Sequence, residues 1–184
     1  MTRIKIFFIT LLGFFILGLL IPQDLQMPVK GANSRDYNSK SFWAEPWGNS
    51  DTHKGVDIFA KKGTEIRSAT HGIILLTGDY YPAGKFIVSL GPKWRFHYYA
   101  HLDKITTKLF SFVSKNTILG TVGNTGNANN TPSHLHYVIA TPLPYFWKKD
   151  STTDGWMKMF ILNPIPYLKS YEKAVESKIS QKNY

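Results

Sequence analysis

The chain contains no cysteine. That excludes disulfide scaffolds, thiolate zinc fingers, iron–sulfur clusters, cysteine nucleophiles and lipid attachment through sulfur. Any metal it holds must be bound by nitrogen and oxygen. Acidic side chains are scarce as well: 12 Asp and Glu face 22 Lys and Arg, a formal net charge of +10. No His-Glu-x-x-His occurs, so a glutamate base positioned by helix geometry is not available. Internal repeats and low-complexity blocks are also missing, which argues against solenoids and linker proteins. What is present is 184 residues, 43% of them hydrophobic and 15% aromatic. This is enough for one domain with a real core, and too apolar for a disordered chain.

Arg3 and Lys5 precede an apolar run from Ile6 to Ile21, closed by Pro22, Gln23 and Asp24. A basic flank followed by such a run reads as an export segment, either a signal peptide or a retained signal anchor, over residues 1–21. The run is short for a comfortable span of about 20 residues, yet no small-x-small cleavage site follows Leu20, which favours a retained membrane anchor over a cleaved signal. The body is then expected on the extracytoplasmic side. Two of the ten net charges belong to Arg3 and Lys5; the remainder is scattered rather than clustered, which suits an anionic envelope surface better than nucleic acid.

Residues 22–40 carry two prolines and no period, and read as a tether. From Ser41 onward, short β-type runs are punctuated by glycine: Gly55–Ala60, His71–Thr77, Lys85–Leu90, Arg95–His101, Thr117–Val122 and Leu135–Thr141. Their spacing implies a mainly β, antiparallel domain over 41–168. Only Tyr167 to Lys182 has helix-forming composition, with Leu168, Tyr171, Val175 and Ile179 as a narrow apolar stripe, so 169–184 is expected as a basic helical tail.

The six histidines include two informative groupings, His53-Lys54-Gly55-Val56-Asp57 and His134-Leu135-His136. In a strand, side chains at i, i+2 and i+4 share a face, so both groupings can point into one cleft. Catalytic zinc takes three protein ligands and keeps a fourth position open. His53, Asp57 and one of the two later histidines form such a set. Either spacing alone is a weak signal; together they single out a candidate hydrolytic metal site.

With these residues the chain resembles the M23 (LytM or lysostaphin-type) zinc metallopeptidases. It reads HKGVDIFA from His53, YYAHL from Tyr98 and GNTGNANNTPSHLHYVI from Gly123, in the order and spacing of that family's signatures, over about Trp43 to Tyr167. The resemblance implies a compact antiparallel β-sheet domain with a groove between loops. It implies Zn2+ bound by His53, Asp57 and His136, with His101 and His134 as catalytic histidines. It further implies an endopeptidase acting on peptide crosslinks of bacterial peptidoglycan. The chain departs from the family pattern at Thr131-Pro132-Ser133, where Thr-Gly-Pro is usual. Val138 stands where a glutamate is common, and Asn116 where a turn glycine is.

In such a site the two histidines would flank the attacking water, one accepting its proton and the other donating to the oxyanion and leaving amine. A non-catalytic member of the same fold that binds peptidoglycan or activates another hydrolase is the alternative. Retention of all five positions favours the enzyme. His97, four residues before His101, would share its face in a regular strand, but a structural role is expected for it, as for His71. Trp47 and Trp147 are candidates for groove walls, and Asn33 or Asn38 for a blocking ligand from a latent pro-segment.

Overall fold

The computed structural model describes residues 3–48 and 51–182. An apolar helix, α1 (Arg3–Leu20), comes first. Nine strands follow: β1 (Val56–Phe59), β2 (Glu65–Arg67), β3 (Gly72–Tyr80), β4 (Gly84–Leu90), β5 (Phe96–Ile105), β6 (Phe112–Val113), β7 (Ile118–Val122), β8 (His134–Ala140) and β9 (Ile161–Leu162). Helix α2 (Ile165–Lys182) ends the fold. The strands form one antiparallel sheet in the order β1-β8-β5-β4-β3-β6, with β7 joining β5 and β2, and β9 flanking β8. The six sequence-level runs correspond to β1, β3, β4, β5, β7 and β8. The remaining strands are two or three residues long, too short to carry a readable alternation.

Alternation decides which face of the central strands is dry. Val56 and Ile58 of β1, Leu135, Tyr137 and Ile139 of β8, and Tyr99 and Leu102 of β5 are all fully buried in one cluster. Burying each such side chain contributes about 1.5–3 kcal/mol. The buried Tyr99 hydroxyl is not orphaned, because it accepts the Ala69 N–H at 3.0 Å.

Residues 22–40, expected as a tether, belong instead to this core. Leu25, Met27, Val29 and Tyr37 are buried in the same cluster. The backbone pairs along β2 and β1, through Arg67 N–H to Pro28 O (2.7 Å), Phe59 N–H to Asp36 O (2.8 Å), and bridges Val29–Ile66 and Tyr37–Ile58. Four spaced apolar residues are too few to give a period, yet they suffice to cover the edge that β1 and β2 would otherwise expose. The folded body therefore begins near Leu25 rather than Ser41.

α2 starts at Ile165, whose N–H is capped by Asn163 Oδ1 at 3.0 Å, with Pro166 in the first turn where its missing N–H is harmless. Of the apolar stripe, Leu168 is buried, Tyr171 and Val175 are half-buried, and Ile179 is exposed. The helix thus packs through its first half and leaves the body as a basic extension. Arg95 ties it down, donating to Tyr167 Oη (3.0 Å) and Tyr145 Oη (3.1 Å), and to Gln23.

Candidate active site

The register of β1 and β8 aligns Asp57 with His136 and Phe59 with His134, so these four side chains share the face opposite the core. β5 adds Ala100 beside His136. His53 enters from the segment before β1. Gly55 is required between them: a Cβ there would lie 2.8 Å from His136 Cε1 and 2.8 Å from the Tyr137 carbonyl oxygen.

His101 reaches the same face by breaking the alternation. Lys85 pairs with Leu102 and Ile87 with Tyr99, so Ala100 and His101 together oppose the single residue Phe86. This is a β-bulge, and His101 sits at its positive-φ position (φ 66°). The bulge overturns the expectation that His97 shares the face of His101. His97 points into the core with Tyr99, fully buried, its Nδ1 2.7 Å from Tyr137 Oη. Burial, assisted by the Arg95 charge, pulls its pKa down to about 3. His71 is exposed.

All five residues singled out in the sequence meet in one groove of about 750 Å³. His53 Nε2, Asp57 Oδ1 and His136 Nδ1 form a triangle with edges of 3.1, 3.2 and 2.7 Å. His53 Nδ1 faces the Ser41 carbonyl at 3.0 Å. A carbonyl only accepts, so Nδ1 carries the proton and Nε2 presents a lone pair to the carboxylate and to the second imidazole. Converging lone pairs of this kind call for a cation between them. Ligands about 2.0–2.1 Å from a tetrahedral zinc lie about 3.3 Å apart, close to two of the three edges, and the set of two imidazoles and a carboxylate suits that metal. Burial alone would raise the Asp57 pKa, but its close contacts with His136 and His53 outweigh that and hold the carboxyl below the usual carboxylate range.

The other two histidines have the same built-in tautomer. His101 Nδ1 donates to Thr125 O (2.9 Å) and His134 Nδ1 to Pro132 O (2.8 Å), which leaves both Nε2 atoms to the groove. His134 Nε2 is 3.8 Å from Asp57 Oδ1. The two rings are 5.1 Å apart, and the His101 ring is 5.8 Å from that of His136. Burial, then the neighbouring His136 and His134, push the His101 pKa down to about 4, so it is neutral near pH 7.

Trp47 does wall the groove, with its ring stacked on His53 at 4.1 Å and 17°. Trp147 does not: it is 77% exposed, edge-on to Tyr145. Asn33 and Asn38 use their Oδ1 atoms in local turns, accepting from Arg35 and Lys40 N–H. Asn116 keeps the turn at φ 75°, and the unusual 131–133 segment still supplies the carbonyl that orients His134. Sequence reasoning missed the three backbone acceptors, Ser41 O, Thr125 O and Pro132 O. A carbonyl leaves no signature in the residue type.

Comparison with known proteins agrees with this geometry. The chain is 29% identical over 147 residues to the L-Ala–D-Glu endopeptidase of Bacillus subtilis, covering 75% of this chain and 41% of that protein. It is 28% identical over 137 residues to the glycyl-glycine endopeptidase ALE-1 of Staphylococcus capitis, covering 73% and 34%. It thus spans less than half of either relative. Among solved structures, the catalytic domain of lysostaphin from Staphylococcus simulans superposes with a TM-score of 0.58 at 27% identity, over 73% of this chain and 94% of that one, so the antiparallel fold is the same. The model of peptidase family M23 matches residues 51–147, more than half of the chain and every residue of the His53, Asp57, His101, His134 and His136 cluster, and the chain therefore belongs to peptidase family M23.

Proposed function

We propose that the protein is a zinc-dependent endopeptidase that hydrolyses peptide crosslinks of bacterial peptidoglycan. The observation that carries this reading is the convergence of three ligand atoms, on His53, Asp57 and His136, beneath two histidines whose free Nε2 atoms face the same groove. The named relatives are endopeptidases whose names specify different bonds, L-Ala–D-Glu in one and glycyl-glycine in the other. A zinc ion held by the three ligands supplies a Lewis acid and lowers the pKa of water to about 7.

The chain's own residues supply the rest. His101 and His134 are held by backbone carbonyls with Nε2 unprotonated, so either can accept the proton of the attacking water. Once protonated, that histidine or its partner can donate to the oxyanion and then to the leaving amine. The aromatic walls, Trp47, Phe59, Tyr80 and Tyr98, exclude water and orient a peptide lying across the groove. α1 serves as the export segment and inner-membrane anchor: it is an 18-residue helix of mean hydropathy 2.1, almost wholly exposed, with Arg3 and Lys5 in its first turn.

The test combines zinc analysis of the purified full chain with release of muropeptide fragments from wall preparations. His136→Ala should lose metal and activity; His101→Ala should keep the metal and lose activity. Stoichiometric zinc with no cleavage of any wall preparation would sink the enzyme reading in favour of a binding module. Loss of zinc in His101→Ala would overturn the division of roles.

A further inference from the structure

One end of the sheet, remote from the groove, carries a surface that the peptidase reading does not use. β4 ends at Leu90, β5 begins at Phe96 and β8 ends at Ala140, and the register pairs Leu90 with Phe96 and Phe96 with Ala140. The three strand ends are therefore side by side, and the turns at 91–95 and 141–149 leave from the same edge. Arg95 joins those turns through Tyr145 Oη.

α1 is seated on the first turn. Trp94 stacks on Phe15 at 6.0 Å and 4°, lies 5.2 Å from Phe14, and donates from Nε1 to Phe15 O at 2.8 Å. A side chain at Gly18 would occupy the volume of the Trp94 ring. Lys93 Nζ reaches Leu19 O at 3.1 Å, satisfying a carbonyl at the negative end of the helix dipole. Leu90, Phe96 and Pro142 continue the apolar surface beside Leu11 and Leu12, around an open cleft of about 590 Å³. The second turn exposes Phe146 (71%) and Trp147 (77%), followed by exposed Lys148 and Lys149. The nearby carboxylates Asp150 and Asp154 are taken by Lys158 and Lys54.

We infer that this sheet end docks on the surface of the bilayer that α1 enters, with anionic headgroups as the partner of Lys148 and Lys149. The inference rests on reading α1 as an anchor. Trp94 packs two to six residues short of Leu20, about 3–9 Å into the apolar length at 1.5 Å per residue. That is the interfacial depth where tryptophan concentrates. Exposed rings followed by paired lysines repeat the same chemistry in the second turn: apolar groups for the acyl boundary, cations for the anionic surface. The groove lies at the other end of the same strands. From Ala140 back to His134 is six steps of about 3.3 Å, so docking holds the site roughly 20 Å above the lipid and aims it at wall peptides near the membrane.

Because the chain has no cysteine, a single introduced one can be labelled without background. Full-length protein carrying a nitroxide at Phe146→Cys, or at Asn130→Cys on the groove loop, is reconstituted in vesicles of equal parts phosphatidylcholine and phosphatidylglycerol. Collisions with dissolved oxygen and with a water-soluble nickel chelate are then compared. The 146 label should show a severalfold higher oxygen-to-nickel ratio than the 130 label. That excess should shrink in pure phosphatidylcholine and on adding Trp147→Ser, Lys148→Gln and Lys149→Gln. A chain that floats with the vesicles while the 146 label stays aqueous would overturn the docking and leave the anchor reading intact. Protection of the label only after adding purified peptidoglycan would overturn it in favour of wall binding. Failure to float with the vesicles would overturn both readings.

Discussion

Replacing Gly55 with alanine tests whether a single backbone approach sets the metal triangle. The new Cβ would stand 2.8 Å from His136 Cε1, 3.0 Å from His136 Nε2 and 2.8 Å from the Tyr137 carbonyl oxygen. Ordinary contact begins at 3.4 Å, so about 0.6 Å must be found on both sides of the methyl. The carbonyl cannot yield, because Tyr137 is held in the β1–β8 ladder opposite Val56. The His136 ring, part-exposed and without a backbone bond of its own, moves instead, and carries Nδ1 away from Asp57 and His53.

Overpacking of this kind costs about 1–3 kcal/mol. For a domain of this size that is a fall in melting temperature of about 2–12 °C. Displacing a ligand through its support weakens metal affinity about 10–100-fold, equivalent to about 1.4–2.7 kcal/mol. Competition against a chromophoric chelator reads the affinity; thermal unfolding of the metal-free protein reads the strain. Wild-type zinc affinity in Gly55→Ala would refute the argument even if melting fell, since it would mean that the strands part while the ring stays.

Further outcomes follow from other contacts. Trp47→Ala removes a stack worth about 0.5–1.5 kcal/mol from His53 and should weaken zinc binding about 2–10-fold by the same titration, whereas Trp47→Phe should recover most of it. Val29→Ala, in the segment that a tether reading would leave free, should cost about 1–3 kcal/mol in urea unfolding; an unchanged midpoint would restore the tether. His97 has its folded pKa depressed to about 3, against about 6.5 when unfolded. Below pH 6.5 the unfolded chain binds a proton that the folded one refuses, so stability should fall as pH drops through that window. Between pH 7 and 4.5 the loss is about 2–3 kcal/mol, and His97→Gln should remove it from the difference in urea midpoints.

The period-two spacing of His53-x₃-Asp57 and His134-x-His136 made most of the site legible, because side-chain alternation is a local property of any strand and survives without knowledge of its neighbours. The same reasoning predicted β1, β3, β4, β5, β7 and β8 from glycine-punctuated β-branched runs. It failed for His97 and His101, because a bulge is a mismatch between two strands and belongs to neither sequence alone. It failed for residues 22–40, where Leu25, Met27, Val29 and Tyr37 are isolated along the chain and become a continuous apolar strip only when β1 and β2 lie beneath them.

What the sequence by itself determined, then, was the donor chemistry: with no thiol available and His53, Asp57, His134 and His136 at period-two spacings, a metal site here is restricted to nitrogen and oxygen ligands. The tertiary structure alone decided which imidazole nitrogen each residue presents. Ser41 and Thr125, 12 and 24 residues away, offer carbonyls to His53 and His101, and the turn before β8 brings the Pro132 carbonyl back onto His134; proton position on an imidazole is set by the acceptor it meets in space, which residue type does not name.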